Sequence, residues 1–192
     1  MSSSTTPPAL RVVVTGGPGS GKTTLVESLG ARGFATVPEA AIQVISELNE
    51  TFGVDGQKRW RREHRLEFQE RVLERQIALE EAAGEPPVLF LDRGRLDGVA
   101  YCRHFDAPLP PGYEERAAGG RYDRVFVLDT LESFADRSAT GRTSDRSESV
   151  ALGDVIEAVY REAGHQVDRV PELADVAARL AFVLNALGLP SA

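Results

Sequence analysis

The chain predicts an α/β domain of three layers, helices on both faces of a parallel sheet, and three features carry the prediction. Short apolar runs alternate with segments of helical spacing from end to end, which implies parallel strands joined by right-handed helical crossovers. Val88–Leu91 is a continuous apolar run, as a strand buried on both faces requires. At 192 residues, 42% hydrophobic and 27% charged, the chain can hide roughly 70% of its unfolded surface in one core, with no need of disulfides or structural metal.

Residues 1–8 are Ser, Thr and Pro around Met1 and bury almost nothing, so a disordered lead-in is expected before a single domain over 9–188. Leu10–Val14 is a β-branched run stopped by Gly16-Gly-Pro-Gly19. Leu25 and Leu29 then fall at helical spacing in Lys22–Leu29, giving strand, glycine loop and helix. Gly30 and Gly33 close that helix, Phe34–Val37 reads as a second strand, and Ala40–Leu48 as a second helix. Between Gln57 and Ala83, Leu66, Leu73 and Ile77 run beside Phe68, Val72 and Leu79, so one long amphipathic helix is expected. Pro86-Pro87 ends it, Val88–Leu91 is the third strand, and Leu96–His104 returns to helix. Residues 106–121, with Pro108, Pro110, Pro111 and Gly112, read as a surface excursion. Arg124–Leu128 is the fourth strand. Residues 136–147 are a polar, basic loop, followed by a helix over Val150–Ala163. Gln166–Val170 is the fifth strand, stopped by Pro171, and Val176, Leu180, Val183, Leu184 and Leu187 mark the last helix.

Charge and cysteine usage narrow the function classes. Net charge is −7, with 29 acidic against 22 basic side chains, which opposes general attraction to nucleic-acid backbones. No apolar run approaches a membrane span, and the first ten residues lack the basic start and apolar stretch of a secretion signal. With a single Cys102, which cannot pair within the chain, the expected location is the cytoplasm. His64, His104 and His165 stand apart without the spacing of zinc ligands, and no G-x-S-x-G stretch suggests a serine nucleophile.

Gly16-Gly-Pro-Gly-Ser-Gly21-Lys22-Thr23 satisfies G-x-x-x-x-G-K-[ST] between a predicted strand and a predicted helix, the context that makes the pattern a P-loop. Successive backbone N–H groups turn inward around a polyphosphate, and the helix adds its positive dipole end. The expected nucleotide contacts are Gly16, Gly17, Pro18, Gly19, Ser20, Gly21, Lys22, Thr23 and Thr24, with Lys22 reaching the β and γ phosphates. The Thr23 hydroxyl and Asp92, at the carboxyl end of the third strand, are the expected Mg²⁺ ligands. Arg93 follows Asp92, where an NTP-hydrolysing motor usually has a carboxylate to activate water. A cation there suits an anionic or hydroxylated acceptor better than a water. No N-K-x-D stretch reads guanine.

Strand, P-loop, Glu39 after the second strand, Asp92-Arg93 after the third, an Arg-bearing loop after the fourth and Val170-Pro171 after the fifth resemble the P-loop kinase group. Pro38-Glu39-Ala40, Leu91-Asp-Arg-Gly94 with Asp97, Arg142-Thr143 and Tyr160-Arg-Glu-Ala-Gly164 look more narrowly like the AAA-type ATPase family related to nicotinamide-riboside kinases, over about residues 10–187. The resemblance implies the P-loop NTPase fold, a five-stranded sheet in the order 2-3-1-4-5, a lid, and Mg²⁺-dependent phosphoryl transfer to a small molecule. By the same resemblance Glu39 is the carboxylate that accepts the proton of the attacking hydroxyl, and Arg142 is the leading lid cation, with Arg137 and Arg146 behind it. True AAA+ machines carry a helical lid domain and sensor residues, for which this chain has no length.

The expected function is therefore a kinase moving the γ-phosphoryl of ATP or GTP to a small-molecule hydroxyl such as a nucleoside or riboside. A nucleotide-dependent switch acting on a protein partner and a polynucleotide-end kinase compete with it, and a homodimer stays open. Lys58, Arg59, Arg61, Arg62 and Arg65 around Trp60 read either as a solvated helix face, which the pattern favours, or as a hold for an anionic acceptor. Asp97 reads equally as an acceptor contact or as a helix cap.

Overall fold

The computed structural model describes residues 9–132 and 146–190. The lead-in expected over 1–8 and most of the basic loop, including Arg137 and Arg142, lie outside the described residues. Five strands, β1 (Leu10–Thr15), β2 (Ala35–Val37), β3 (Val88–Asp92), β4 (Arg124–Leu128) and β5 (Val167–Val170), form one parallel sheet in the order β2-β3-β1-β4-β5, as the resemblance implied. Seven helices complete the described chain: α1 (Lys22–Ala31), α2 (Ala40–Glu63), α3 (Arg65–Ala82), α4 (Asp97–His104), α5 (Tyr113–Ala118), α6 (Arg146–Glu162) and α7 (Val176–Ala186).

The period of two along β1 divides the core. Val12 and Val14 pack with Phe90 and Phe126 under Leu25 and Leu29 of α1 and Leu180 and Val183 of α7. Val13 faces the other way, with Leu89, Leu91 and Val125, into Leu73 of α3, Val99 of α4 and Ile156 of α6. Register then fixes the functional edge. Val14 lies opposite Asp92, Thr15 opposite Val127, and Leu128 opposite Val170, so the carboxyl ends of the strands open on one side, where ligands of open α/β sheets bind.

The helices depart from the sequence pattern in three places. Helix α2 continues past Leu48 to Glu63, with a kink at Gly53 (φ 70°, ψ 170°), a backbone state open to glycine alone. The helix expected over 57–83 is broken at His64 (φ −118°, ψ 48°), and Leu66, counted in its apolar row, is exposed. The buried side of α3 is partly polar, with Gln76 and Glu80 beside Leu73. Finally, the excursion over 106–121 contains α5, whose Tyr113 and Ala117 sit one turn apart and are buried after the left-handed Gly112.

Candidate active site

The β1–α1 loop has the conformation its glycines permit. Gly16, Gly19 and Gly21 have φ of 139°, 73° and 80°, values that L side chains rarely adopt. Space is as restrictive as conformation: a Cβ on Gly17 would stand 2.0 Å from the carbonyl oxygen of Ser149 in α6. The Lys22 ammonium, almost wholly buried, donates to the Gly17 carbonyl at 2.8 Å and the Ser20 hydroxyl at 3.2 Å, so its charge lies within the loop.

Behind the loop, the Thr23 hydroxyl donates to Asp92 Oδ2 at 2.8 Å, bringing together the two expected metal ligands. Asp92 is 1% exposed, and its Oδ1 has no hydrogen-bond partner among the described residues. Burial pushes its carboxyl above the ordinary value; Arg93 and Lys22 oppose that shift and Glu39 adds to it. A buried carboxylate with a spare oxygen beside a hydroxyl is a hard-oxygen donor set that fits Mg²⁺. Among the described residues no cluster of His, Cys, Asp and Glu offers another metal site.

Arg93 is the pivot of the sheet edge beside Asp92. Its φ of 75° costs about 1–2 kcal/mol for a non-glycine residue, and that turn sends the side chain back over the sheet edge. Arg93 Nε pairs with Glu39 Oε1 at 3.2 Å, and Nη1 donates to Asp97 Oδ1 at 2.9 Å and to the Gly16 carbonyl at 3.4 Å. Nη2 is buried and unpartnered among the described residues. Glu39 precedes α2 but makes no side-chain cap bond; its carboxylate turns to Arg93 instead. Glu39, Arg93 and Asp97 share the wall of a cavity of about 280 Å³ with Pro18 of the loop, Phe68 and Tyr101.

Asp97 is neither a free acceptor contact nor a helix cap. Oδ1 accepts from Thr15 Oγ1 at 2.6 Å and from Arg93, and Oδ2 accepts from Tyr160 Oη at 2.8 Å and the Gly94 N–H at 3.2 Å. Four donors fill its acceptor sites, and Arg93 is one of them. Burial, then Asp97 itself, raises the Tyr160 hydroxyl well above its ordinary pKa and keeps it a donor.

Arg179 has no signal in the sequence beyond being a charge in an apolar helix. It is 4% exposed and donates to the carbonyls of Pro171 at 3.1 Å, Asp129 at 2.9 Å and Ser20, tying the ends of β4 and β5 to the P-loop. Arg146, the described member of the expected lid cations, is exposed at the start of α6, on a separate cavity of about 320 Å³ with Asp129, Arg169 and Glu172. The expected role of Arg142 falls outside the described residues. Cys102 is buried, and burial pushes its thiol upward, as a packing role predicts. Among the described residues no helix is long and apolar enough to cross a membrane.

A family model described as an AAA domain matches residues 11–179. No curated protein matches the chain by sequence. Among solved structures, deoxyadenosine kinase from M. mycoides superposes with TM-score 0.61 at 15% identity, over 93% of this chain and 99% of its own. The NadR protein in complex with NR gives TM-score 0.67 at 20% identity over 95% of this chain, which spans 52% of that protein. Thymidylate kinase from Ehrlichia chaffeensis gives 0.55 at 13% identity, over 94% of this chain and 100% of its own. At these identities the likeness is one of fold.

Proposed function

The chain belongs to the AAA domain family, and from that premise we propose that it is a Mg²⁺-dependent kinase transferring the γ-phosphoryl of ATP or GTP to a hydroxyl of a small molecule such as a nucleoside or riboside. One observation carries the reading: a carboxylate and a guanidinium, Glu39 and Arg93, are paired at 3.2 Å in the wall of a cavity that begins at the P-loop residue Pro18. An NTP-hydrolysing motor usually has a carboxylate beside Asp92 to activate water, whereas a partly aromatic cavity with a base and a cation suits an organic alcohol. The fold shared with deoxyadenosine kinase and thymidylate kinase supports the same reading.

In this mechanism the loop N–H groups and Lys22 hold the polyphosphate, with Gly16 to Thr24 as the nucleotide-binding stretch. Thr23 and Asp92 would hold Mg²⁺, which when bound neutralises phosphate charge. Glu39 accepts the proton of the attacking hydroxyl as its oxygen forms a bond to the γ-phosphorus, and the bond from that phosphorus to the bridging oxygen breaks to leave the diphosphate. Arg93 holds the acceptor oxygen in line through Nη2 while its Nε pairs with Glu39. Arg142, which lies outside the described residues, is the further cation that would complete the charge compensation.

The test is acceptor-dependent diphosphate release with ATP or GTP, Mg²⁺ and a panel of nucleosides and ribosides. Release stimulated by one acceptor, abolished in Lys22→Ala and lowered about 10²- to 10⁴-fold in Glu39→Gln, is the expected result. Nucleotide binding without stimulation by any acceptor would replace the kinase by a nucleotide-dependent switch.

A further inference from the structure

Beyond the acceptor cavity lies a second, larger one of about 730 Å³, and the two share Arg61, Phe68, Gln69, Tyr101 and Phe105 as a common wall. Among the described residues the outer cavity is lined by four cations, Lys58, Arg61, Arg62 and Arg65, and by no carboxylate. That concentration is unusual on a chain whose net charge is −7.

The break at His64 creates the arrangement. It ends α2 just after Arg61 and Arg62 and starts α3 at Arg65, so the end of one helix and the beginning of the next face the same space. Arg61 and Arg62 in the last turn of α2 are accounted for by the helix dipole. Arg65 is not, because it opens α3, at the end where a cation is disfavoured. Nor, among the described residues, do ion pairs absorb the charge of Lys58, Arg62 and Arg65: Lys58 meets only the fully exposed Asp55 at 3.7 Å, while Glu67 is engaged by Arg71 at 2.6 Å. Arg61 is held in position, its Nε donating to Gln57 at 2.7 Å and its guanidinium lying over the Phe68 ring at 5.4 Å. Phe105, on the shared wall, keeps 48% of its surface exposed although it is large and apolar.

We infer that the acceptor is a ring-bearing molecule that carries a phosphate monoester at the end remote from the hydroxyl that is phosphorylated, its ring against Phe68, Tyr101 and Phe105 and its phosphate among Lys58, Arg61, Arg62 and Arg65. Four cations without a carboxylate match a dianion better than a single carboxylate, and guanidinium forks fit phosphate oxygens in pairs. This substrate class rests on the kinase reading of the adjoining site.

The probes are nucleoside 3′-monophosphates of the four common bases, their parent nucleosides and inorganic phosphate. Binding is measured by calorimetry with the P-loop saturated by AMP-PNP and Mg²⁺. The inference predicts that at least one 3′-monophosphate binds ten times or more tightly than its nucleoside and more tightly than phosphate alone. It also predicts that the advantage falls with added salt and disappears in Arg62→Glu and Arg65→Glu, both exposed positions whose unchanged thermal melts verify folding. Equal binding of nucleosides and monophosphates, no binding by any monophosphate, or an advantage that survives both charge reversals overturns it. Replacing AMP-PNP by ATP separates the two readings. A monophosphate that binds through Arg62 and Arg65 without being phosphorylated leaves the anion site standing and removes the kinase. A nucleoside 3′-monophosphate phosphorylated with unchanged kcat/KM in both variants leaves the kinase standing and removes the anion site.

Discussion

Arg93→Met tests the internal logic of the site most sharply. The substitution keeps an unbranched side chain at the same strained φ, so the backbone cost is common to both proteins, but it deletes the cation shared by Glu39 and Asp97. Those carboxylate side chains are 4% and 6% exposed, at 3.2 and 2.9 Å from the guanidinium, so they are largely shielded from bulk water. Removing one partner of such a buried group costs about 3–5 kcal/mol, and at about 2–4 °C per kcal/mol for a chain of this size the melting temperature should fall by about 6–20 °C. The loss should depend on pH with a definite sign. A carboxylate stripped of its cation in a buried site holds a proton more tightly folded than unfolded, so the variant regains stability as pH falls and loses it as pH rises. Melting curves of both proteins at pH 8 and pH 5.5, followed by circular dichroism, measure the deficit. A drop of less than about 2 °C at pH 8, or a deficit that does not shrink at pH 5.5, would refute the claim that Arg93 is the counter-charge of this edge.

Other perturbations follow from the same geometry. Asp92→Asn should leave the ligand-free protein as stable as the parent or more so, because burial already penalises the ionised carboxyl, while abolishing turnover and the Mg²⁺ dependence of nucleotide binding; thermal melts beside a turnover assay check both halves. Gly17→Ala must push α6 from the P-loop by more than an ångström to relieve its 2.0 Å contact with Ser149, so nucleotide affinity by calorimetry should drop at least tenfold, or about 1.4 kcal/mol. Arg179→Ala leaves three backbone carbonyls without their donor and should lower stability by about 2–4 kcal/mol, read in urea unfolding, with Arg179→Lys recovering only part.

Local chemistry made much of this site legible. The P-loop is one contiguous segment whose glycines and lysine work through their own backbone, and Asp92 stands where an apolar run ends, so both can be read without knowing the fold. Glu39 and Arg93 can be assigned to the same sheet edge, but their pairing depends on the left-handed turn at Arg93, which no pattern encodes. Asp97 was ambiguous for the same reason: its partners Thr15 and Tyr160 lie 82 and 63 residues away. Arg179 was invisible because its bond to Ser20 spans 159 residues and helical periodicity marks it only as a polar interruption. The break at His64 is not legible because both apolar rows begin after it and residues 57–63 are charged apart from Gln57 and Trp60, and with it goes the gathering of the basic cluster around one cavity.

The central claim is that the γ-phosphoryl leaves the nucleotide for an organic hydroxyl. Incubating the protein with Mg²⁺, γ-labelled ATP and the acceptor panel, then separating the products, shows directly where the label goes. A kinase puts it on one organic acceptor, in amounts equal to the diphosphate formed and absent with Lys22→Ala; label found only as inorganic phosphate, whatever acceptor is present, would contradict the account.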